Sequence, residues 1–406
     1  VTQSTTSARP AGSQRDHRVD FYRGIALSMI FVNHAPDNVW ELYTTRNFGF
    51  SDAAELFVFL AGFASAFAYG RGFLNGNVLV STLKAWRRAG MLYLVHIFLT
   101  MAVIALFAYG ALLLGNGALM EQHGIGYILT KPLESLIGIV VLTQQLAYVN
   151  ILPMYSVILL MLPLHLALAR ISSGAMLCGA ILLWLVAGTL RLDLPNYPAS
   201  GGWFFNPFSW QLIFAIGLYC GLSKSQRNAP AVPYSPVLYA AALAYLAFAF
   251  AFIGWRGIEH PLDLPMLFGQ FDKTFVSLPR LLHVLAMIYV FAYAPKTSPV
   301  AKVSRRNPFT ALGRHSLPVF ALGTILALAA QVVKFGRPEH FVLDTAMVVL
   351  GLSLQFGLAY YLEWWGEAKK RSRTSPARAT APAARKNRPA AEPRRSRNLI
   401  ANGSSL

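Results

Sequence analysis

Long apolar runs alternate along this chain with short polar or Gly/Pro-rich pieces. A bilayer-spanning helix needs about 20 mostly apolar residues, and runs of this kind fall at 20–35, 51–70, 90–114, 151–169, 174–190, 207–223, 235–254, 276–295, 308–333 and 341–363. Turn-forming residues separate them. The pattern predicts an all-α fold, a polytopic membrane helix bundle of about ten transmembrane helices.

A further apolar stretch, 131–149, is interrupted by Lys131, Pro132, Glu134, Gln144 and Gln145. The basic residues decide how to read it, because cytoplasmic loops retain Lys and Arg. If the stretch stays on one face, Arg71/Lys84/Arg87/Arg88, Lys224/Arg227 and Lys296/Lys302/Arg305/Arg306 share one side with both termini. If it crosses, these clusters split between the faces. The stretch is therefore expected to be an interfacial or re-entrant segment on the outer face, with both termini cytoplasmic. The outer loops are then 36–50, 115–150, 191–206, 255–275 and 334–340, carrying Asp37, Trp40, Glu41, Trp203, Trp255, Glu259, Asp263 and Asp272. No internal repeat with matching Gly/Pro-broken helices, as in inverted-repeat transporters, is visible.

Composition agrees with a membrane solvent: 55% of residues are hydrophobic and 13% charged, with a mean hydropathy of +0.46, where soluble domains carry about 25% charged residues. The net charge of +18 would point to nucleic acid if it were evenly spread. Instead, residues 369–397 hold eleven Lys or Arg against the single acid Glu392. This Ala/Pro/Ser-rich stretch has no apolar periodicity and is expected to be a disordered basic tail meeting anionic headgroups. The bilayer, not nucleic acid, is the expected partner. The expected organisation is a cytoplasmic segment 1–19, a transmembrane domain 20–363 and the tail 364–406. Cys178 and Cys220 both sit in apolar runs, so neither a disulfide nor a metal site is expected. The first span carries Asp20 and Arg23 and lacks a clean cleavage site, so it is expected to be retained.

The first span, Asp20 to His34, puts a carboxylate, a guanidinium and an imidazole into one membrane helix. Such groups are costly there and mark a cavity or functional site by default. Arg23 and His34 are about three turns, or roughly 16 Å, apart on one face. An Asp20–Arg23 salt bridge accounts for the arginine but leaves His34, the side chain best suited to general-base work near neutral pH, unexplained. Asp52 and Glu55 open the second span. Asp52 suits a helix N-terminus, whereas Glu55 lies deeper, toward the same outer end as His34. A carboxylate that orients an imidazole is a recurring arrangement, and Glu55 and Asp37 compete for that role. Arg87 and Arg88, before the third span, satisfy the positive-inside rule and suit a phosphate. Asn206, Trp210 and Gln211 open another span from outside, where rings anchor and amides bind hydroxyls. The loop from Trp255 to Thr274 offers Arg256 and Lys273, and Arg280, Arg314 and His315 fall within or beside spans.

The pattern Arg, ten residues, His, followed by Asp52-x-x-Glu-Leu-Phe-Val-Phe-Leu-Ala-Gly-Phe63 and then Arg87-Arg88, resembles the transmembrane acyltransferase superfamily. Within it, Arg15 to Gly70, Phe205-Asn-Pro-Phe-Ser-Trp-Gln211 and Gly313-Arg-His-Ser-Leu-Pro-Val-Phe320 are most similar to the OpgC family, over about residues 15–365. That resemblance implies an inner-membrane enzyme that moves a succinyl group from cytoplasmic succinyl-CoA to a periplasmic glucan. By position it implies a catalytic role for His34, with Arg23 as the arginine that accompanies it and Glu55 as the nearby carboxylate, and a CoA-phosphate role for Arg87 and Arg88; Asp37 stays a catalytic candidate by its spacing to His34, and Arg23 is a further candidate to hold CoA. Glu55 stands where relatives often carry Asp, a longer reach for the same charge. Asp52, Asn206, Trp210, Gln211, Lys273 and Arg280 are the substrate-binding candidates. Acyl-CoA is the expected co-substrate without a metal, and a second copy of the chain is a candidate partner. The rival expectation is a glycan or lipid transporter or flippase whose buried charges line a path.

Overall fold

The computed structural model describes residues 16–254, 265–295, 297–298, 301–338 and 340–374. The expected tail from 375 onward, residues 1–15, and Trp255, Arg256, Glu259, His260, Asp263 and Lys296 lie outside the described residues. Among the described residues the fold is all-helical, apart from an isolated bridge between Pro195 and Gly202. The helices are α1 (His17–His34), α2 (Ala53–Ser65), α3 (Arg71–Leu74), α4 (Val78–Leu114), α5 (Gly126–Thr130), α6 (Pro132–Val140), α7 (Ile151–Ile171), α8 (Ser173–Thr189), α9 (Pro207–Arg227), α10 (Pro236–Gly254), α11 (Met266–Gly269), α12 (Leu278–Ala292), α13 (Pro308–Arg314), α14 (Ser316–Lys334) and α15 (Phe341–Thr374).

Each expected span coincides with a helix, but the expected count of ten crossings is not reached on length and apolarity. Six segments satisfy both: Ala53–Leu74, Val78–Leu114, Ala147–Ile171, Pro236–Gly254, Ser316–Lys334 and Phe341–Ser372. The shortfall has a physical reason. The apolar helices α8 and α12 have only 17 and 15 residues. Helices α1 and α9, with 18 and 21, are diluted by Asp20, Arg23 and His34 and by Gln211, Lys224 and Arg227. The 131–149 stretch forms no spanning helix: α6 has nine residues, about 14 Å.

The chain divides into two compact units, Val1–Leu362 and Glu363–Leu406. In the second, the described end of α15 carries a Glu367–Arg371 pair at 3.8 Å, one turn apart. In the first, the exterior is apolar: α4 exposes Leu94, Phe98, Met101 and Leu112, and α10 exposes Val237, Phe248 and Phe250. So continuous an apolar surface belongs against lipid rather than water.

Two glycine crossings set the bundle. Helix α2 packs along α9, where Gly62 lies against the Phe214 carbonyl and Gly217 against that of Phe59. Helix α1 packs on α13, with Gly24 against the Phe309 carbonyl and Gly313 against that of Asp20. Backbones come this close only where no Cβ intervenes. Helix α1 also touches α2 and α14, so its polar face is enclosed by three partners. Between α2 and α3 the chain widens into a π turn, Ala66–Gly70, a local irregularity often found where a helix lines a functional cavity.

Substitution tests this geometry. Gly24→Val and Gly62→Ala each drive a side chain into backbone and should destabilise by more than about 2 kcal/mol, lowering the unfolding temperature of purified protein. Gly90→Ala, with open space around the added carbon, should be neutral or stabilising by up to about 1 kcal/mol.

Candidate active site

Helix α1 ends at His34, whose half-buried imidazole lies under the Tyr148 ring with centroids 4.0 Å apart. Tyr148 comes from the irregular segment between α6 and α7, so the stretch that does not span supplies the cover of the histidine. Gln331 of α14 ties the group together: its Nε2 donates to the His34 carbonyl at 3.2 Å and to the Tyr148 hydroxyl oxygen at 3.1 Å. A backbone carbonyl accepts only, which fixes the orientation of the amide and turns Oε1 toward His123. The His123 Nε2 at 2.5 Å must therefore carry the donated proton. Burial holds His123 below the ordinary histidine range, with the Gln331 bond opposing it. A neutral ring with its proton on Nε2 satisfies both observations.

Four charges gather near this end of α1. Glu55 is fully buried. Its Oε1 accepts from Arg280 Nε at 2.8 Å and pairs also with Arg280 Nη2, while Oε2 accepts from the Asp52 backbone N–H at 3.0 Å. Asp52 caps α2 by accepting from the Ala54 N–H at 2.8 Å, completing a reciprocal capping box. Its other oxygen pairs with Lys273 and lies 3.8 Å from Arg280. The cluster holds two carboxylates and two cations, and the charges of Asp52 and Lys273 reach the His34 ring.

The residues expected to orient His34 are thus placed otherwise. Glu55 commits both oxygens to Arg280 and the helix cap. Asp37 is exposed in a left-handed conformation (φ 44°) and lies 3.9 Å from Lys334, which bonds Asp344 at 2.8 Å. Gln331 and Tyr148 take the contacts with His34 instead.

Toward the other end of α1, Arg23 lies 3.7 Å from Asp20 and donates to the Leu60 carbonyl at 3.2 Å. Arg23 and Arg88 line one cavity of about 180 Å³, walled by Tyr69 and Tyr155 and bounded by Phe320. The π turn brings Ala68 and Tyr69 to its wall. Arg87 is exposed and lies outside that lining. A second, tight chamber of about 10 Å³ holds His34 and Tyr148, and Phe320 lines it too. Arg314 donates to the carbonyls of Thr310 and Arg305 at 3.3 and 2.9 Å.

The α9 candidates turn inward. Asn206 caps α9 through the Phe208 N–H at 2.9 Å and donates to the Leu192 carbonyl at 2.6 Å. Gln211 pairs with His165 at 2.8 Å and with the Ala180 carbonyl at 2.7 Å. Trp210, fully buried, donates to the Lys273 carbonyl at 3.1 Å and so fixes the loop that carries Lys273. Their polar atoms serve the fold, and the loop beside them carries the ion pairs.

Sequence reasoning did not single out Tyr148, Gln331, His123, Phe320 or Asp193. A lone amide in the apolar run Leu-Ala-Leu-Ala-Ala-Gln331-Val-Val was the one available signal, since such a group needs partners. Among the described residues no cluster of His, Cys, Asp or Glu is set to hold a metal.

Compared with known families, the chain matches the one described as OpgC protein over residues 15–367. No curated protein and no solved structure matches it.

Two measurements test the electrostatics. Glu55→Gln strands Arg280 and should cost about 3–5 kcal/mol. Glu55→Gln with Arg280→Met should recover at least half of that in a thermal-unfolding cycle; additive losses would refute the pairing. In the 191–206 loop, burial raises the Asp193 carboxyl from 3.8 to about 6, against Arg191 and reinforced by Asp272. A raised folded value makes the proton stabilising: the contribution is full below pH 3.8 and is lost as pH rises through about 6. Asp193→Asn should therefore gain thermal stability relative to the parent between about pH 4.5 and pH 7.5. A pH-independent difference would contradict this.

Proposed function

The chain belongs to the OpgC family, and on that premise we propose that it is a membrane-bound O-acyltransferase moving a succinyl group from cytoplasmic acyl-CoA to a hydroxyl of a periplasmic glucan. It does so as a polytopic helix bundle of the bacterial inner membrane with cytoplasmic termini. The observation that carries the reading is the pair of cavities that meet at Phe320, one lined by Arg23 and Arg88 and the other by His34. Transfer across a bilayer needs an anion grip inside, a conduit for the thioester arm and a base near the acceptor outside. These two cavities supply that order along one helix.

Guanidinium groups match phosphate oxygens in geometry and charge. Arg23 and Arg88 hold the donor at the mouth of the conduit, with exposed Arg87 adding positive field, while the nucleotide stays outside. The pantetheine arm passes Phe320, whose side chain rotates to join the two spaces. His34 takes the proton of the glucan hydroxyl as the oxygen attacks the thioester carbonyl. The C–S bond then breaks, and the CoA sulfur leaves with the proton returned by the imidazolium. Tyr148 covers the ring for this exchange, and Gln331 fixes the His34 backbone and the Tyr148 hydroxyl. Lys273, a quarter exposed, presents its ammonium to the free succinyl carboxylate.

The deciding assay is CoA release by purified protein, with and without unacylated glucan. Release should depend on glucan, and His34→Ala should lower it by at least about a hundredfold while the protein stays folded in the membrane. Near-normal turnover in that variant would overturn the role of His34, and glucan movement without CoA release would replace the transferase by a transporter.

A further inference from the structure

A third cavity, about 430 Å³ and open to the outside, lies between the 191–206 loop, the 145–150 segment and the Lys273–Phe275 turn. Neither the donor path nor the transfer step described above uses it. Its lining combines Gln145, Asn150, Asp193 and Asn196 with the aromatic rings of Trp203 and Phe204.

Three features say what it takes. First, the Trp203 indole is 4% exposed, and its Nε1–H is buried without a hydrogen-bond partner among the described residues. A buried donor left unpaired costs about 1–3 kcal/mol, and an acceptor on a ligand removes that cost. Second, Asn150 stands at the N-cap of α7 yet makes no cap hydrogen bond, unlike Asn206 at the start of α9. Its amide remains free for a ligand. Third, the charge is wrong for an anion. Arg191, the one cation in the lining, bonds Asp272 at 2.8 Å and lies over Phe275 at 3.9 Å, so the space offers no uncommitted cation. Neutral hydroxyls suit amides, which both donate and accept, and a carboxylate, which accepts, and the apolar face of a sugar ring suits the aromatic walls. A volume of this order lies in the usual range for small-ligand sites.

The walls also lead to His34. Tyr148, between Gln145 and Asn150 in sequence, lies against the imidazole with its ring tilted by 34°. Lys273, next to Thr274 of the lining, acts electrostatically on the same ring. We infer that this cavity is the acceptor subsite: it binds neutral pyranose units of the glucan through Trp203, Asn150, Asn196 and Asp193 and feeds a hydroxyl past Tyr148 to His34. The inference rests on the transferase reading for the identity of the acceptor, while the binding itself is measurable without turnover.

The test uses the full-length chain carrying His34→Ala in lipid nanodiscs, titrated calorimetrically with unacylated glucan and, separately, with CoA. Trp203→Phe and Asn196→Ala, the second at a half-buried position tolerant of truncation, should each weaken glucan binding by about tenfold, one lost hydrogen bond. Both should leave CoA binding unchanged, which also certifies the fold. Glucan affinity equal to the parent's in both variants overturns the subsite, as does a parent that binds no glucan. In the parallel CoA-release assay on the parent with intact His34, a failure of turnover would remove the transferase reading. Weakened glucan binding in the variants would still support the cavity as a glucan site.

Discussion

The Glu55–Arg280 pair is the constraint on which the outer half of the molecule depends. A carboxylate with no solvent exposure is sustained only by a cation and further donors that replace its hydration. Glu55 finds both, in the Arg280 guanidinium and the Asp52 N–H. The pair binds the start of α2 to the start of α12. Asp52 extends it to Lys273, and two indoles hold the same loop by its backbone: Trp210 through the Lys273 carbonyl, Trp184 through those of Phe275 and Val276 at 3.1 and 3.0 Å. Because α2 is fixed on α9 by their glycine crossing, the cluster sits on a rigid wall. The His34 end of α1 meets that wall, and so the charges that reach His34 include Lys273, more than two hundred positions away, beside the nearer Asp52.

The helices themselves were legible in the chain, because a run of twenty apolar residues has few structural options in a membrane. The importance of α1 was also legible: Arg23 and His34 on one apolar helix mark an unusual interior, and Arg23 indeed lines a cavity. The partners were not. Glu55 was expected to orient His34, but an arginine from α12 claims it. No local pattern announces that pairing, since Glu55 and Arg280 meet only through the tertiary fold. Asp37 follows His34 by three residues, yet the left-handed turn at Asp37 carries its carboxylate outward to Lys334. The 131–149 stretch was correctly separated from the spans by its polar residues. Nothing in its sequence indicated that Tyr148 would cover the histidine, because irregular segments have no periodicity from which to derive a face.

The Arg23 cavity and the His34 chamber share Phe320, and His34 lines the narrower of the two. A chamber of about 10 Å³ is near the limit for one water molecule and cannot hold a thioester. Phe320 and Tyr148 both line it, so the proposed transfer, with its donor arriving past Phe320 and its acceptor past Tyr148, requires both rings to move. Their supports differ. Phe320 belongs to α14 and is buried in the main core, where displacement disturbs packing on several sides. Tyr148 lies in a short irregular turn, held by one hydrogen bond from Gln331, by ring contacts with His34 and His123 and by packing beside the Phe107 cluster. The proposed donor side is thus closed by a helix residue of the main core and the proposed acceptor side by a residue of an irregular turn. In the proposed transfer, an open path from donor to solvent would favour hydrolysis of the thioester. A base covered by Tyr148, and uncovered when a sugar ring takes its place, would keep that thioester dry until the acceptor is present.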